Sequence, residues 1–256
     1  MSKVAAGAIV GVVAGILSGA AGLGGAIVST PGIRVLGAAP LIAVGTTVPA
    51  IVVASASGSW NYLRSRCCDL PVAFATGATG VIFTVLGALF ARVVGGRPLM
   101  LATACLVVYG GGRIFQGRHL DESSRWRAIS KARVPIAAGI GVVAGFLSGA
   151  LGIGGGIVML PAYYRLLGMP IKKTTGTSLV VAGLMAIPGT LVHWRLGNID
   201  WYLATGLCAG ALVGSYLGSR VTLLSGERRV RIYVGVLLVA IGTAYGVGEA
   251  IAWIRA

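Results

Sequence analysis

One stretch of nine residues constrains this chain more than any other, because it occurs twice. Leu17-Ser18-Gly19-Ala20-Ala21-Gly22-Leu23-Gly24-Gly25 returns 130 residues later as Leu147-Ser148-Gly149-Ala150-Leu151-Gly152-Ile153-Gly154-Gly155, followed by Gly156. Aligning 8–31 with 138–161 gives 16 identities in 24 positions, and Pro31 and Pro161 close the two copies. A match of that density within one chain is an internal repeat. Past Pro40 and Pro170 the register becomes 131: Gly45-Thr46-Thr47 falls on Gly176-Thr177-Ser178, Gly58 on Gly189, Arg64 on Arg195 and Asp69 on Asp200. The chain therefore divides into a first repeat (1–115), a charged linker (116–135) and a second repeat (136–256).

Composition decides the solvent. Of 256 residues 56% are hydrophobic and only 11% charged, with a mean hydropathy of +0.91. A water-soluble core cannot absorb that much apolar surface, so the expectation is an all-α polytopic membrane protein. The net charge of +15 does not point to nucleic acid, because the basic residues punctuate apolar runs as membrane loops do. The apolar run after Lys3 resembles a signal peptide, but its recurrence deep in the chain assigns 4–30 to the mature fold. Cys67, Cys68, Cys105 and Cys208 offer neither zinc spacing nor a disulfide framework.

Apolar runs at 41–63, 70–91, 98–112, 174–194, 201–219 and 230–253 are each near the ~20 residues of a membrane-spanning helix. The glycine-broken segments 4–36 and 136–168 decide the topology. If they cross, Lys and Arg divide evenly between the two sides. If they are re-entrant hairpins, the 21 basic residues divide 15 to 6, the asymmetry that the positive-inside rule demands. The expected plan is two inverted halves, each a hairpin plus three crossings, with both termini outside and the linker in the cytoplasm.

In hydrocarbon an unpartnered backbone group costs several kcal/mol, so unwound chain survives only against protein or a wet cavity. Interrupted segments at matching positions of two halves mark a transport site. A short helix starting near Gly25 or Gly155 presents free N–H groups and a positive dipole end to an anion. Ser18 and Ser148 stand one turn before the breaks. The alternative is that the glycines only let helices pack closely. Thr46, Thr47, Thr177 and Ser178 are read with equal weight as further hydroxyl donors or as backbone caps. His193, Trp194 and Arg195, like Trp60, Asn61 and Tyr62, read as an interfacial belt. Arg64 with Asp69, and Arg195 with Asp200, are expected as loop ion pairs.

Enzymatic readings find little purchase. The acidic residues Asp69, Asp121, Glu122, Asp200, Glu227 and Glu249 all avoid the centres of the spans, which removes a paired-aspartate protease and a buried carboxylate relay. His119 and His193 form no His-Glu-x-x-His motif, and no Gly-x4-Gly-Lys-[Ser/Thr] loop exists. No metal site and no cofactor is expected.

The doubled Ser-Gly-x-x-Gly-x-Gly-Gly-[Ala/Gly]…Pro, each copy followed by Gly-Thr-[Thr/Ser], resembles the TauE/SafE sulfite and sulfonate exporter family. So does Gly197-Asn198-Ile199-Asp200-Trp201 before a glycine-rich helix. The resemblance spans nearly the whole chain outside the linker. It implies an inner-membrane permease for small sulfur-containing anions, with Ser18, Gly19, Gly22, Gly24, Gly25, Ser148, Gly149, Gly152, Gly154, Gly155 and Gly156 as site residues. Ala26 stands where the second copy has Gly156, which predicts a less open first hairpin. Partners are then a small anion and the lipid bilayer, with a homodimer left open. An uptake permease for thiosulfate and a non-transporting scaffold remain as alternatives.

Overall fold

The computed structural model describes residues 3–94, 105, 132–152 and 154–226, with isolated positions from 229 to 247. Every element among them is helical: α1 Lys3–Ala21, α2 Ala26–Val35, α3 Pro40–Arg64, α4 Leu70–Val94, α5 Arg133–Leu151, α6 Gly156–Ala162, α7 Ile171–Arg195 and α8 Trp201–Leu224. A wider turn, Tyr163–Leu167, prolongs α6. The expected runs 98–112 and 230–253, and the linker as far as 131, lie outside the described residues apart from isolated positions. Six described helices are long and apolar enough to cross a membrane. The protein is a multi-pass, all-helical membrane protein.

Sequence signals set the boundaries. Pro40 opens α3 at its first position and Pro170 precedes α7, where a missing N–H costs nothing. Asp200 caps α8 by accepting the Tyr202 and Leu203 amides at 3.0 and 3.3 Å. Asp69 accepts the Val72 amide at 3.2 Å at the head of α4. The expected Arg64–Asp69 and Arg195–Asp200 ion pairs do not form. Both carboxylates are drawn to helix N-termini, where the dipole favours them; Asp200 adds an ion pair with Lys3 at 3.6 Å, and Arg64 lies over the Trp60 ring.

Two glycine seams hold the bundle, and each joins one repeat to the other. Gly7, Gly11, Gly15 and Gly19 of α1 face Leu203, Leu207, Ala211 and Ser215 of α8 in the same order, so these helices run parallel. A Cβ at Gly7 would stand 2.7 Å from the Leu203 carbonyl oxygen, and one at Gly15 2.6 Å from that of Ala211. Gly141, Gly145 and Gly149 of α5 meet Thr76, Gly80 and Thr84 of α4 in the same way. Where no apolar solvent effect drives helices together, such close backbone approach supplies dispersion contact instead. The central helices α3 and α7 are the most buried spans and cross antiparallel: Gly58 packs on Leu179, Ser55 on Gly183, and Val48 on Gly189.

The two broken segments start from opposite ends. The Asp200 amide donates to Thr46 Oγ1 at 3.0 Å, so α3 begins at the end where Lys3 begins α1. The Asp69 amide donates to Thr177 Oγ1 at 2.9 Å, and Gly141 in the first half of α5 meets Thr76 in the first half of α4, so α5 and α7 begin at the other end. α2 runs back along α1, with Gly32 against Val10 and Gly25 against Ala14 and Ser18. The two arms of each segment are unequal in length. α1 and α5 are 19 residues each and are themselves long enough to cross, while α2 has 10 residues and α6 has 7.

Ile9, Val13, Phe74, Ile82, Leu217 and Val221 stay exposed around the outside, as a lipid-facing surface does. Gly15→Leu is expected to lower the melting temperature of purified protein sharply, by forcing α1 off α8. Gly139→Ala, where an added Cβ meets nothing within 4 Å, is expected to be neutral or to stabilise by up to ~1 kcal/mol. Thermal unfolding in detergent checks both.

Candidate functional site

The repeated motif folds twice into the same irregular turn. Gly22, Gly24 and Gly25 have φ of 70°, 79° and 77°, and Gly152, Gly154 and Gly155 have 65°, 77° and 69°. Three left-handed residues within four positions end one helix and re-aim the chain, a path costing roughly 1–2 kcal/mol per residue for any side chain with a Cβ. The Gly22 amide donates to the Ser18 carbonyl at 2.7 Å and the Gly152 amide to that of Ser148 at 2.8 Å. Gly25 and Gly155 then open α2 and α6, neither with a side-chain cap.

The two breaks touch. A Cβ on Gly154 would lie 3.5 Å from Gly24 Cα. At Gly156 it would lie 2.6 Å from both the Gly22 carbonyl oxygen and Leu23 Cα. Neighbouring helices complete the cover: Ser178 Oγ donates to the Gly22 carbonyl at 2.9 Å, and Val44 packs on Gly152. Unwound backbone is thus stacked on unwound backbone inside protein.

Beside the second break lies a narrow cavity of about 10 Å³, room for about one water, lined among others by Ser148, Gly149, Gly152, Gly154, Met185 and His193. No lining residue is acidic or cationic. Of the sequence-derived candidates, Ser148, Gly149, Gly152 and Gly154 therefore share one space. Gly155 opens α6 next to it, with the Ala144 carbonyl oxygen, Met159 and Met185 nearest its added Cβ. Gly156 is used for contact with the other break. Gly22, Gly24 and Gly25 form the first turn, and Ser18 Oγ is wholly buried with no hydrogen-bond partner among the described residues. Gly19 and Gly149 also face the seams, against Ser215 and Thr84.

The hydroxyl candidates lie elsewhere. Thr46 and Thr177 each accept the amide of the aspartate capping the partner repeat's helix. Thr47 Oγ1 donates to the Val44 carbonyl at 2.8 Å, and Ser178 braces Gly22. All four hydroxyls are occupied in holding loops and the break. His193 was missed as a cavity residue. Its neighbours Trp194 and Arg195 suggested an interface, yet it is 1% exposed. The available signal was its alignment with Tyr62 at the 131-residue offset.

A family model described as "Sulfite exporter TauE/SafE" matches residues 7–245. The chain is 27% identical over 91% of its length to the probable membrane transporter protein YunE of Bacillus subtilis, covering 94% of that protein. It is 28% identical to a probable membrane transporter protein of Xylella fastidiosa, over 84% of this chain and 82% of that one. The corresponding figures for the probable membrane transporter protein YfcA of Escherichia coli are 25%, 87% and 81%. No solved structure gives a significant match. The chain belongs to the TauE/SafE family.

Gly156→Ala drives a methyl into backbone that cannot swing away, and is expected to cost ~1–3 kcal/mol by overpacking. Ala26→Gly, its counterpart in the first repeat, is expected to cost no more than the ~1 kcal/mol of helix propensity. Melting temperatures of the two purified variants check the order.

Proposed function

We propose that this member of the TauE/SafE family is a carrier, not an enzyme, that exports small sulfur-containing anions such as sulfite or organosulfonates across the cell inner membrane. The observation that carries the reading is the family match over 7–245, in a chain whose two glycine breaks meet inside the bundle beside a cavity. Backbone N–H groups and hydroxyls suit an oxyanion, because they donate without carrying a charge that would trap it. The absence of a carboxylate from the cavity lining removes the repulsion an anion would meet. Ser18, Ser148 and the amides around Gly24, Gly25, Gly154 and Gly155 are the donors assigned to it.

The same reading places the two repeats in inverted orientation, their broken segments dipping in from opposite faces. It puts both termini outside and the linker 116–135 in the cytoplasm. The start of α1 and α3 at one end, with α5 and α7 at the other, supports that arrangement. So does the 15-to-6 division of Lys and Arg.

Proteoliposomes loaded with radiolabelled sulfite, taurine, sulfate or thiosulfate are expected to release sulfite or the sulfonate faster than empty-vesicle controls. Flux confined to thiosulfate, or absent for all four, rejects the substrate class. Ser148→Ala is expected to weaken apparent affinity by up to ~1.5–3 kcal/mol, the worth of one hydrogen bond to a charged group. Reporter fusions in the linker are expected to be active only as cytoplasmic reporters; activity only outside rejects the topology.

A further inference from the structure

Chain order divides this protein into repeats, but packing divides it differently. The first body is α1, α2, α3 and α8. α1 lies backbone to backbone on α8 from Gly7 to Gly19. α8 is bonded to α3 as well: Ser215 Oγ donates to the Ala54 carbonyl at 2.6 Å, and Asn61 Nδ2 to that of Tyr216 at 3.1 Å. One apolar core belongs to these elements, with Ile33 of α2, Ala43 and Ala50 of α3, and Leu203, Leu207 and Ala211 of α8. The second body is its pseudo-symmetric counterpart, α4 with α5, α6 and α7. Gly141, Gly145 and Gly149 lie on α4, and Thr79 Oγ1 donates to the Ala138 carbonyl at 2.8 Å. Leu184 and Met185 of α7 reach Gly77 and Gly80 of α4. A second core, with Val72, Ala144, Met159, Tyr163 and Met185, holds these four helices together.

Where the two bodies meet, the contact is of another kind. α3 lies against α7 through small residues and aliphatic tips: Val48 on Gly189, Ser55 on Gly183, and Leu179 on Gly58. Ala26, Val48 and Ile51 reach from the first body into the second core. Ser178 Oγ bonds the Gly22 carbonyl across this interface, and Lys172 Nζ bonds that of Leu223, both at 2.9 Å. Both breaks sit here, Gly24 against Gly154 and Gly22 against Gly156. The cavity beside them, at about 10 Å³, has room for about one water, so a compact oxyanion reaches the breaks only when the bodies part. Opening the seams instead would strip close backbone contacts for which lipid offers no substitute.

Among the described residues the chain passes between the bodies at two loops of matching shape. Arg66 and Gly197 are equivalent by the 131-residue offset, and both are left-handed, with φ of 54° and 70°. The Cys67 amide bonds the Tyr62 carbonyl at 2.8 Å, and the Asn198 amide bonds that of His193 at 3.0 Å. Each loop is thereby tied to the body it leaves. Two residues later the Asp69 amide is held by Thr177 and the Asp200 amide by Thr46, which ties each loop to the body it enters. Cys68 and Ile199 alone stand between the anchors. A few residues between two fixed points are what a hinge requires.

We propose that the carrier moves as these two exchanged bodies, rocking across the α3–α7 interface on hinges at 67–68 and 198–199, and not as one repeat against the other. This rests on the anion-carrier reading and supplies its moving parts. Each repeat lends one described helix, α4 or α8, to the other's body, so neither repeat moves alone. Parting at one end exposes the breaks to one face of the membrane, and parting at the other end to the opposite face.

Disulfides placed within and across the bodies test this. Gly77→Cys with Leu184→Cys joins the two repeats inside the second body, where an added Cβ at 77 lies 4.0 Å from Leu184 Cβ, a separation that suits the bond. Val48→Cys with Gly189→Cys joins the repeats across the bodies, where an added Cβ at 189 lies 3.3 Å from Val48 Cγ1. Flux of radiolabelled sulfite and taurine in proteoliposomes is read before and after oxidation, with parent protein treated alike as the baseline. Peptide mass verifies the bond after each run, because sulfite cleaves exposed disulfides. Closing the cross-body pair is expected to cut flux at least ~10-fold, reversibly with reductant, while closing the pair inside the second body leaves it within about 2-fold. Should the 48–189 pair not fold or not close, Ser55→Cys with Gly183→Cys takes its place, the added Cβ at 183 lying 2.8 Å from Ser55 Cβ. Flux lost on closing 77–184, or kept on closing a cross-body pair, overturns the two-body motion but spares the carrier reading. Parent protein that moves neither sulfite nor taurine overturns both.

Discussion

Backbone amides and carbonyls cannot be left bare in hydrocarbon, and the rest of this structure follows from how two interrupted helices meet that requirement. Each break exposes several peptide groups at once, and no side chain caps the helices that follow. The solution is mutual cover. Gly156 lets the second break approach the Gly22 carbonyl, Ser178 bonds the same carbonyl from α7, and Val44 closes over Gly152. The seams along α1 and α5 bring those breaks to the same place, and only glycine at the crossing points permits the approach.

Much of this was legible in the sequence. The duplication gave the pseudo-symmetry, apolar run length gave the spans, and Gly-x-Gly-Gly located the breaks to the residue. What could not be read was partnership across the repeats. The Thr46 and Thr177 hydroxyls face opposite aspartate amides more than a hundred residues away, and no local pattern announces such a pairing. Asp69 and Asp200 looked like partners for nearby arginines because proximity in sequence was the only guide.

Duplication builds a scaffold twice over, and the same scaffold then tolerates divergence at a few positions. The reciprocal Thr–Asp contacts and the left-handed triplets are kept in both copies to within a few degrees and tenths of an ångström. Tyr62 and His193 differ, as do Ala26 and Gly156. The shared features carry backbone hydrogen bonds that cannot be given up without loss of the fold. The divergent ones fill or vacate volume, which helices braced elsewhere can accept.

The seams also tie the order of synthesis to assembly. The glycine face of α1 has its mate on α8, 196 residues further along the chain. At ~5–20 residues per second the first helix waits roughly 10–40 s in or near the insertion machinery before that mate is made. During this interval its narrow, small-residue surface is free to take the wrong neighbour. A ribosome stalled between the linker and α8 leaves a chain that already contains one complete repeat and still lacks the mate of its first helix.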